Sequence, residues 1–337
     1  MSAEHDLFII GHGLAGSVLA TVAQERGLRV RVFDVPRPGQ ASRVAAGLVN
    51  PIVMRRMVPS WRAAELLPIA DAFYPGACWH RLPMARVFAD EKEEAYWDRC
   101  VADPTTSRFL SHDRRADVDQ APIDRGIGYG LIHGCAWLDV SRWLDDRTRS
   151  LNEVDAFRVE QVDRTMIDED ADHVRIAGER ASFAIWCDGP FTSLDISPVR
   201  GESLTLRIPE LRLETMLHRG AFILPLGDDL YRVGATYAWD KPFEGATAEG
   251  RTVLLERLRR ITAVPVEVVD HQAGVRPAAR DRRPLLGKPS GAGRMAVFNG
   301  LGSRGVLLAP WCAQHLLAHL FDGLALDPEV DVARLPA

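Results

Sequence analysis

The chain has 337 residues, of which 47% are hydrophobic and 26% are charged, a composition typical of a soluble globular protein with room for two domains. Its net charge of -5 disfavours a protein that holds nucleic acid mainly through counterion release, and five scattered cysteines without a C-x-x-C pair argue against a disulfide framework and structural zinc. Since no stretch approaches the ~20 apolar residues of a membrane span, these features predict a reduced, cytoplasmic protein with no membrane partner and no metal.

The N-terminal segment has the pattern strand, glycine turn, helix, strand. A short apolar run at 7–10 is followed by G-H-G-L-A-G at 11–16. In the fingerprint G-x-G-x-x-G, the first glycine permits a tight turn, the second lets the backbone approach a pyrophosphate, and the third lets the helix pack on the sheet. A helix to about Gly27 and a strand over 28–33 would place Asp34 where a carboxylate accepts hydrogen bonds from a ribose diol. The segment therefore predicts a dinucleotide site.

Downstream of the second strand the character of the sequence changes twice. Small residues fill A-S-R-V-A-A-G-L-V-N-P at 41–51, which permits close approach of the backbone to a flat ligand. Arginine-rich helical stretches with aromatic residues over about 54–125 indicate an inserted domain, and short strands at 156–162 and 174–176 indicate a return to the first sheet. The strand A-I-W-C-D-G at 184–189 is suited to lie beside the first strand.

The rest of the chain predicts an antiparallel sheet and a second glycine turn. Three alternating strands occupy 203–237, and an amphipathic helix follows at 252–261. After a strand at 295–298, N-G-L-G-S-R-G at 299–305 is a glycine turn that opens a last helix. The sequence thus predicts an α/β fold (α+β overall), with a Rossmann-like domain interleaved with a domain built on an antiparallel sheet. The predicted bounds are 1–52, 126–200 and 268–337 for the first domain, and 53–125 and 201–267 for the second.

Six motifs occur along the chain in a fixed order. They are GHGLAG with Asp34, ASRVAAGLVNP at 41–51, IWCDG at 185–189, PVRGE at 198–202, GVRPAARDRRPLLG at 274–287 and NGLGSRGVLLAP at 299–310. In these motifs the sequence resembles the D-amino acid oxidase/glycine oxidase family of FAD-dependent oxidoreductases, and most of all the flavin module of the tRNA 5-methylaminomethyl-2-thiouridine biosynthesis enzymes. The resemblance implies that the Rossmann-like domain binds FAD and that the interleaved domain binds substrate. The flavin is expected to be non-covalent, because no cysteine lies within 274–287.

The resemblance also assigns cofactor contacts. The first glycine turn would cradle the diphosphate, Asp34 would bind the adenosine ribose, and the loop 42–48 would wrap the diphosphate and flavin. Val159 would contact adenine, Gly189 would lie beneath the cofactor, and the second glycine turn would meet the pyrimidine end of the flavin ring. The implied FAD contacts are Gly11, Gly13, Leu14, Ala15, Gly16, Asp34, Ser42, Arg43, Ala45, Ala46, Gly47, Leu48, Val159, Gly189, Arg276, Gly300, Leu301, Gly302, Ser303, Arg304 and Gly305.

The resemblance assigns the substrate carboxylate to Arg276. A planar guanidinium suits this bidentate contact better than an ammonium would. Phe222 stands where glycine-oxidase-like members have a tyrosine, so glycine or a small free amino acid is disfavoured as substrate. Tyr237 is a candidate source of the missing hydroxyl, with ordinary strand packing as the other interpretation. His271 is retained as a candidate general base.

The expected reaction is oxidation of the C–N bond of an amine or amino acid, in first place a carboxylate-bearing secondary amine, by hydride transfer to flavin N5. Oxygen or another acceptor would then reoxidise the flavin. The first alternative is oxidation of a wobble-uridine side chain of tRNA, which the net charge disfavours without excluding. The second is oxidation of a 2-hydroxy acid with His271 as base. The third is FAD binding without turnover.

Overall fold

The computed structural model describes residues 4–335, and no helix in that range is long and apolar enough to cross a membrane. The strands within it are β1 His5–Ile10, β2 Val30–Asp34, β3 Leu48–Val49, β4 Ile52–Val53, β5 Val58–Pro59, β6 Trp79–Arg81, β7 Met84–Phe88, β8 Leu110–Ser111, β9 Gly128–Ile132, β10 Ala136–Leu138, β11 Phe157–Val159, β12 Asp168–Glu169, β13 Val174–Ile176, β14 Glu179–Trp186, β15 Ser197–Arg207, β16 Met216–His218, β17 Phe222–Gly227, β18 Leu230–Gly234, β19 Glu267–Ala278, β20 Leu285–Gly287 and β21 Met295–Asn299. The α-helices within it are α1 Leu14–Glu25, α2 Ala41–Val44, α3 Ala63–Phe73, α4 Glu91–Ala102, α5 Ala116–Gln120, α6 Val140–Glu153, α7 Ala248–Arg259 and α8 Gly305–Asp322.

The first of two compact units consists of three separate segments: the residues up to Arg43, Val140–Val199, and the residues from Val275 onwards. Its sheet has the order β11-β2-β1-β14-β13-β12, with β21 paired to β14 and β20 paired to β21. The strands β11, β2, β1, β14 and β21 are parallel. The three central residues of β1, 7–9, are fully buried, as expected for a parallel strand covered on both faces. This unit has the Rossmann-like architecture that the N-terminal pattern predicts.

The second unit comprises Val44–Asp139 and Arg200–Gly274. Its main sheet has the order β19-β15-β18-β17-β16-β7-β9-β8, in which β16 and β7 are parallel whereas β15, β18, β17 and β16 are antiparallel in turn. Alternate residues point to opposite faces of such a sheet. One face packs with α7 in a core that includes Leu204, Val233 and Leu254, and the opposite face contributes Met84 and Leu224 to a second core.

The structure differs from the sequence predictions in two respects. The segment 54–125, predicted to be helical, also supplies β7, which lies inside the main sheet of the second unit. The residues 44–52, 126–139, Arg200 and 268–274, predicted for the first domain, fall within the second unit. The reason is strand pairing, since β9 pairs with β7, β10 pairs with β6 and β3, and β19 lies next to β15 in the main sheet.

Candidate functional site

Both predicted glycine turns lie at one edge of the sheet in the first unit. The strands β1, β14 and β21 are adjacent and parallel, and Trp186 in β14 is in register with Ile10 in β1 and with Val297 in β21. The carboxyl ends of parallel strands meet at one edge of a sheet, which is where open α/β sheets bind ligands. Gly11 directly follows β1 and Gly300 directly follows β21. The two turns are therefore neighbours.

The first glycine turn leaves space for a ligand at one of its glycines. Gly11 has φ +104°, and a Cβ there would lie 2.5 Å from the carbonyl oxygen of Cys187. A Cβ at Gly16 would collide with the carbonyl of Gly11, so both positions require glycine for the protein's own packing. At Gly13, by contrast, the nearest described atom to such a Cβ would be Ser42 Oγ at 3.1 Å. A Cβ at Gly13 would thus be tight against the Ser42 side chain alone, with no described backbone atom opposing it within 4 Å, and this leaves the backbone of Gly13 open to the close approach of a diphosphate.

The N-terminus of α1 faces this turn without an acidic cap. Its first turn contains no acidic residue, and Gly13 makes no side-chain capping bond. Ser42 Oγ accepts the backbone N–H of Leu14 at 2.9 Å, which brings the loop predicted to wrap the diphosphate to the start of the helix. Because a helix N-terminus carries partial positive charge and unpaired N–H groups, this end of α1 suits an anion.

Asp34 lies beside the first turn at the end of β2. Its carboxylate accepts hydrogen bonds from the backbone N–H groups of His12 and Val35, while burial raises the pKa of the carboxyl above its usual value. Val159 is in register with Asp34 on β11 and is 75% exposed. The structure thus places the predicted ribose acceptor and the predicted adenine contact side by side.

Two predicted contacts in the loop 42–48 have partners within the protein. The Arg43 guanidinium forms an ion pair with Asp145 of α6. A Cβ at Gly47 would collide with the carbonyl of Leu138, and the Gly47 carbonyl accepts the Leu138 N–H at 3.0 Å. The absence of a side chain at Gly47 is therefore explained by strand packing, which differs from the predicted reason of approach to a flat ligand. The rest of the loop, Ala45, Ala46 and Leu48, lies with Gly47 in the second unit.

The second glycine turn lies beside the strand end that carries Arg276. Gly302 donates its N–H to the carbonyl of Pro277 at 2.9 Å, and Leu301 forms a bridge with Ala278. Arg276 is half-buried. Ser303 and Arg304 lead into α8, which begins without a side-chain capping bond. The structure therefore brings together Arg276, the turn and a helix N-terminus.

Gly189 is tied to the end of β21. It follows β14 with φ +57°, and no described atom lies within 4 Å of a Cβ placed there. Asn299 Nδ2 donates to Gly189 O and to Asp188 Oδ1, both at 2.9 Å. Burial raises the pKa of the Asp188 carboxyl. Gly189 thus lies just beyond the end of β14, the strand between those that precede the two turns, with no described atom within 4 Å of a Cβ placed there.

The predicted substrate contacts Phe222 and Tyr237 belong to the second unit. The Phe222 ring lies over Gly234, where a Cβ would be 2.8 Å from its Cζ. Tyr237 is 55% exposed and stacks with Trp239 at a centroid distance of 6.4 Å. Both roles remain predictions.

His271 is held by a buried carboxylate. Its Nε2 lies 2.9 Å from Oε2 of Glu202, which is 2% exposed. The same carboxylate accepts hydrogen bonds from the N–H and Oγ1 of Thr247 at the start of α7. These contacts favour a structural role for His271 over the predicted role of general base.

Sequence reasoning missed Arg232, a charged residue inside β18. Its Nε is buried and has no hydrogen-bond partner among the described residues. The detectable signal was its spacing, since Arg232 precedes Gly234 by two positions and therefore shares the face over which the Phe222 ring lies.

Comparison with known proteins agrees with this geometry. The profile of the DAO family, described as FAD dependent oxidoreductase, matches residues 6–320. The chain is 28% identical over 340 residues to a tRNA 5-methylaminomethyl-2-thiouridine biosynthesis bifunctional protein from a Caulobacter species, with 93% of this chain and 54% of the relative covered. It therefore spans about half the length of that relative.

Two further similarities cover nearly the whole chain. A D-amino-acid oxidase from Rubrobacter xylanophilus is 25% identical over 329 residues, with 92% of this chain and 94% of the relative covered. The crystal structure of glycine oxidase from Geobacillus kaustophilus superposes with a TM-score of 0.80 at 20% identity and covers 100% of both chains. At this identity the structural similarity establishes the fold.

Proposed function

The chain belongs to the DAO family of FAD-dependent oxidoreductases, and on that premise we propose that it oxidises the C–N bond of an amine or amino acid, in first place a secondary amine that bears a carboxylate. The observation that carries the proposal is that the strand of Arg276 and the two glycine turns meet at one sheet edge. Oxygen or another electron acceptor then reoxidises the reduced flavin.

The first unit offers complementary groups for FAD. Gly13 and the N-terminus of α1 would hold the diphosphate, and Asp34 would accept hydrogen bonds from the ribose. When bound, FAD supplies a two-electron acceptor for a hydride from the substrate carbon. The N-terminus of α8 and the backbone N–H groups of the second turn would oppose negative charge on the ring.

Arg276 would hold the substrate in position. Two parallel N–H···O bonds from a guanidinium fix the plane of a carboxylate, and a fixed carboxylate orients the adjacent C–H bond, which lowers the barrier mainly through positioning. Oxidation of a 2-hydroxy acid requires a base that removes the hydroxyl proton, whereas a neutral amine has no such proton to lose. Because His271 is bonded to Glu202, the arrangement supports an amine over a 2-hydroxy acid.

Kinetics of Arg276 variants test the proposal. We expect Arg276→Gln to lower kcat/KM for N-methylglycine by about a hundredfold, because a bidentate charged contact is lost, and Arg276→Lys to restore part of it. The kcat/KM for N-methylbenzylamine, an amine without a carboxylate, should fall little in the same variants. Arg280→Gln is the matched control, since Arg280 is exposed and pairs with Asp195. Equal losses for both amines, or equal losses in the control, would contradict the role of Arg276.

A second candidate is oxidation of a tRNA wobble-uridine side chain, which the similarity to the bifunctional tRNA-modifying relative favours. An arginine band formed by Arg55, Arg56 and Arg62 would support it. Arg55 and Arg56 are exposed, whereas Arg62 pairs with Glu65. Binding of bulk tRNA that weakens steeply with added salt would support this candidate, and salt-independent or absent binding would exclude it.

A further inference from the structure

The segment 35–40, which we call the strap, connects β2 to α2 in the first unit. Near its middle, the Arg37 guanidinium carbon lies 5.3 Å from the centre of the Phe191 ring. Phe191 belongs to the short segment that follows β14, and β1 lies between β2 and β14 in the sheet. The strap therefore crosses the carboxyl end of β1, where the first glycine turn begins.

Both ends of the strap are fixed within the same unit. It begins directly after Asp34, whose carboxylate accepts the backbone N–H of Val35. Towards its other end, the Gly39 carbonyl accepts the Val275 N–H at 3.0 Å. FAD held by the first glycine turn would therefore have across it a strap that is anchored on both sides.

The hold of Arg37 on Phe191 is loose enough to open. Within residues 4–335 the Arg37 guanidinium makes no hydrogen bond or ion pair, and it acts on Asp34 only as a nearby charge. Both Arg37 and Phe191 are half-buried. A cation over an aromatic ring at such a site shifts an equilibrium by only about fivefold. The middle of the strap can thus detach while its ends stay bonded.

The residues of the strap suit a stiff middle and a flexible end. Arg37 stands between Pro36 and Pro38, both exposed, and each proline ring fixes its own φ. Gly39 has φ +80°, in the region that favours glycine. Movement of the strap is therefore expected to concentrate at Gly39, as in loops that close over a ligand.

We propose that the contact between Arg37 and Phe191 is a latch that gates the cofactor: it holds the strap closed across FAD and must open for FAD to enter or leave. This inference rests on the placement of FAD at the first glycine turn given with the proposed function, and it needs no particular substrate. The latch is closed in the free protein and in the complex alike, so it slows association and dissociation by the same factor and leaves the affinity unchanged.

The rates of FAD exchange test the latch without turnover. We expect Arg37→Gln to raise the rate constants for FAD association and dissociation by about fivefold each and to keep the Kd within about twofold. Phe191→Leu, which removes the ring and keeps the guanidinium, should do the same. Stopped-flow flavin fluorescence after mixing apoprotein with FAD measures association, and dilution of the holoprotein measures dissociation.

A double variant and a matched control sharpen the test. Arg37→Gln combined with Phe191→Leu should be no faster than either single variant, because both side chains act through one contact. The control is Arg294→Gln. Arg294 lies 5.3 Å over the Phe183 ring but directly precedes β21, at the opposite edge of the same sheet, so its loss should leave both rates unchanged. Arg37→Lys should lie between wild type and Arg37→Gln.

Three outcomes overturn the inference. They are unchanged rates in both single variants, additive effects in the double variant, and a raised Kd with an unchanged association rate in Arg37→Gln, which would make Arg37 a direct ligand of FAD. If Arg37→Gln does not fold, Phe191→Leu and Arg37→Lys carry the same test.

Failure of the proposed function has a different signature. The exchange rates are measured without an amine, so a protein that oxidises no amine can still show, or lack, the latch. If FAD is bound away from the first turn, Asp34→Asn also keeps its FAD affinity, whereas a failed latch leaves the weaker binding of Asp34→Asn in place.

Discussion

Asp34 and His12 are coupled at the first glycine turn, because the His12 N–H donates to the Asp34 carboxylate. The His12 ring is buried, with Nδ1 3.3 Å from Thr148 Oγ1 and an edge contact to Phe157. Its Nε2 has no partner among the described residues. Backbone N–H groups of His12 and Val35 thus orient a carboxylate at the predicted ribose position, while the His12 ring packs against Thr148 and Phe157.

Removing the charge of Asp34 should weaken FAD binding. We expect Asp34→Asn to lower the affinity for FAD by about tenfold, since hydrogen bonds to an ionised acceptor are stronger than neutral ones. Fluorescence titration of the apoprotein with FAD measures this. Asp172→Asn, at an exposed site, should bind FAD as the wild type does. Unchanged affinity in Asp34→Asn would remove Asp34 from the cofactor site.

Acid should destabilise the protein through His12 and His218. Burial lowers the pKa of each to about 4 from an ordinary value of 6.5, so the unfolded state binds more protons between these pH values. Stability is therefore expected to fall as pH drops from about 6.5 towards 4, by up to about 3 kcal/mol per histidine. Urea unfolding at a series of pH values across this range measures the slope of the free energy of unfolding against pH.

A variant separates this contribution from acid effects in general. His12→Gln should reduce the slope, whereas His112→Gln, at an exposed position, should keep it. An identical slope in wild type and His12→Gln would mean that His12 is protonated in the folded protein.

At the scale of elements, the first turn separates glycines needed for folding from glycines needed for the ligand. We expect Gly13→Ala to keep the unfolding free energy of the apoprotein within about 1 kcal/mol, because the new Cβ would press only on the Ser42 side chain, whose Oγ at 3.1 Å has to move by a few tenths of an ångström, and on no described backbone atom. It should nevertheless lose FAD affinity. Gly16→Ala should unfold at lower denaturant concentration because its Cβ meets the Gly11 carbonyl. The reverse pattern would refute the assignment of the space at Gly13 to the diphosphate.

The elements predicted well from sequence are those whose signals are local. The segment β1-α1-β2 combines a buried run, a glycine turn and a nearby acidic residue within about 30 positions. The position of β14 beside β1 was expected from the apolar run at 184–189, and the two strands do pair. The strand β7 was missed because its pairing with β16 joins residues more than 100 positions apart. Such non-local pairings leave little periodic trace in a short strand. Arg232 was missed for the same reason, since its burial depends on neighbouring strands.

At the scale of the whole molecule, the chain builds each unit from separated segments, and the candidate cofactor groups come from all three segments of the first unit. Asp34 belongs to the first segment, Gly189 to the second, and Arg276 with the second turn to the third. The parallel sheet collects these groups at one edge because β1, β14 and β21 are neighbours. Family membership establishes FAD dependence. The choice of substrate depends on individual side chains at the site, which the fold does not specify.

The measurement that tests the central claim most directly is anaerobic titration of the purified protein with carboxylate-bearing secondary amines, followed through the visible absorbance of the flavin. The account predicts that flavin copurifies with the chain and that its absorbance is bleached by such an amine. A protein without flavin, or one whose flavin is bleached by a 2-hydroxy acid and by no amine, would contradict it.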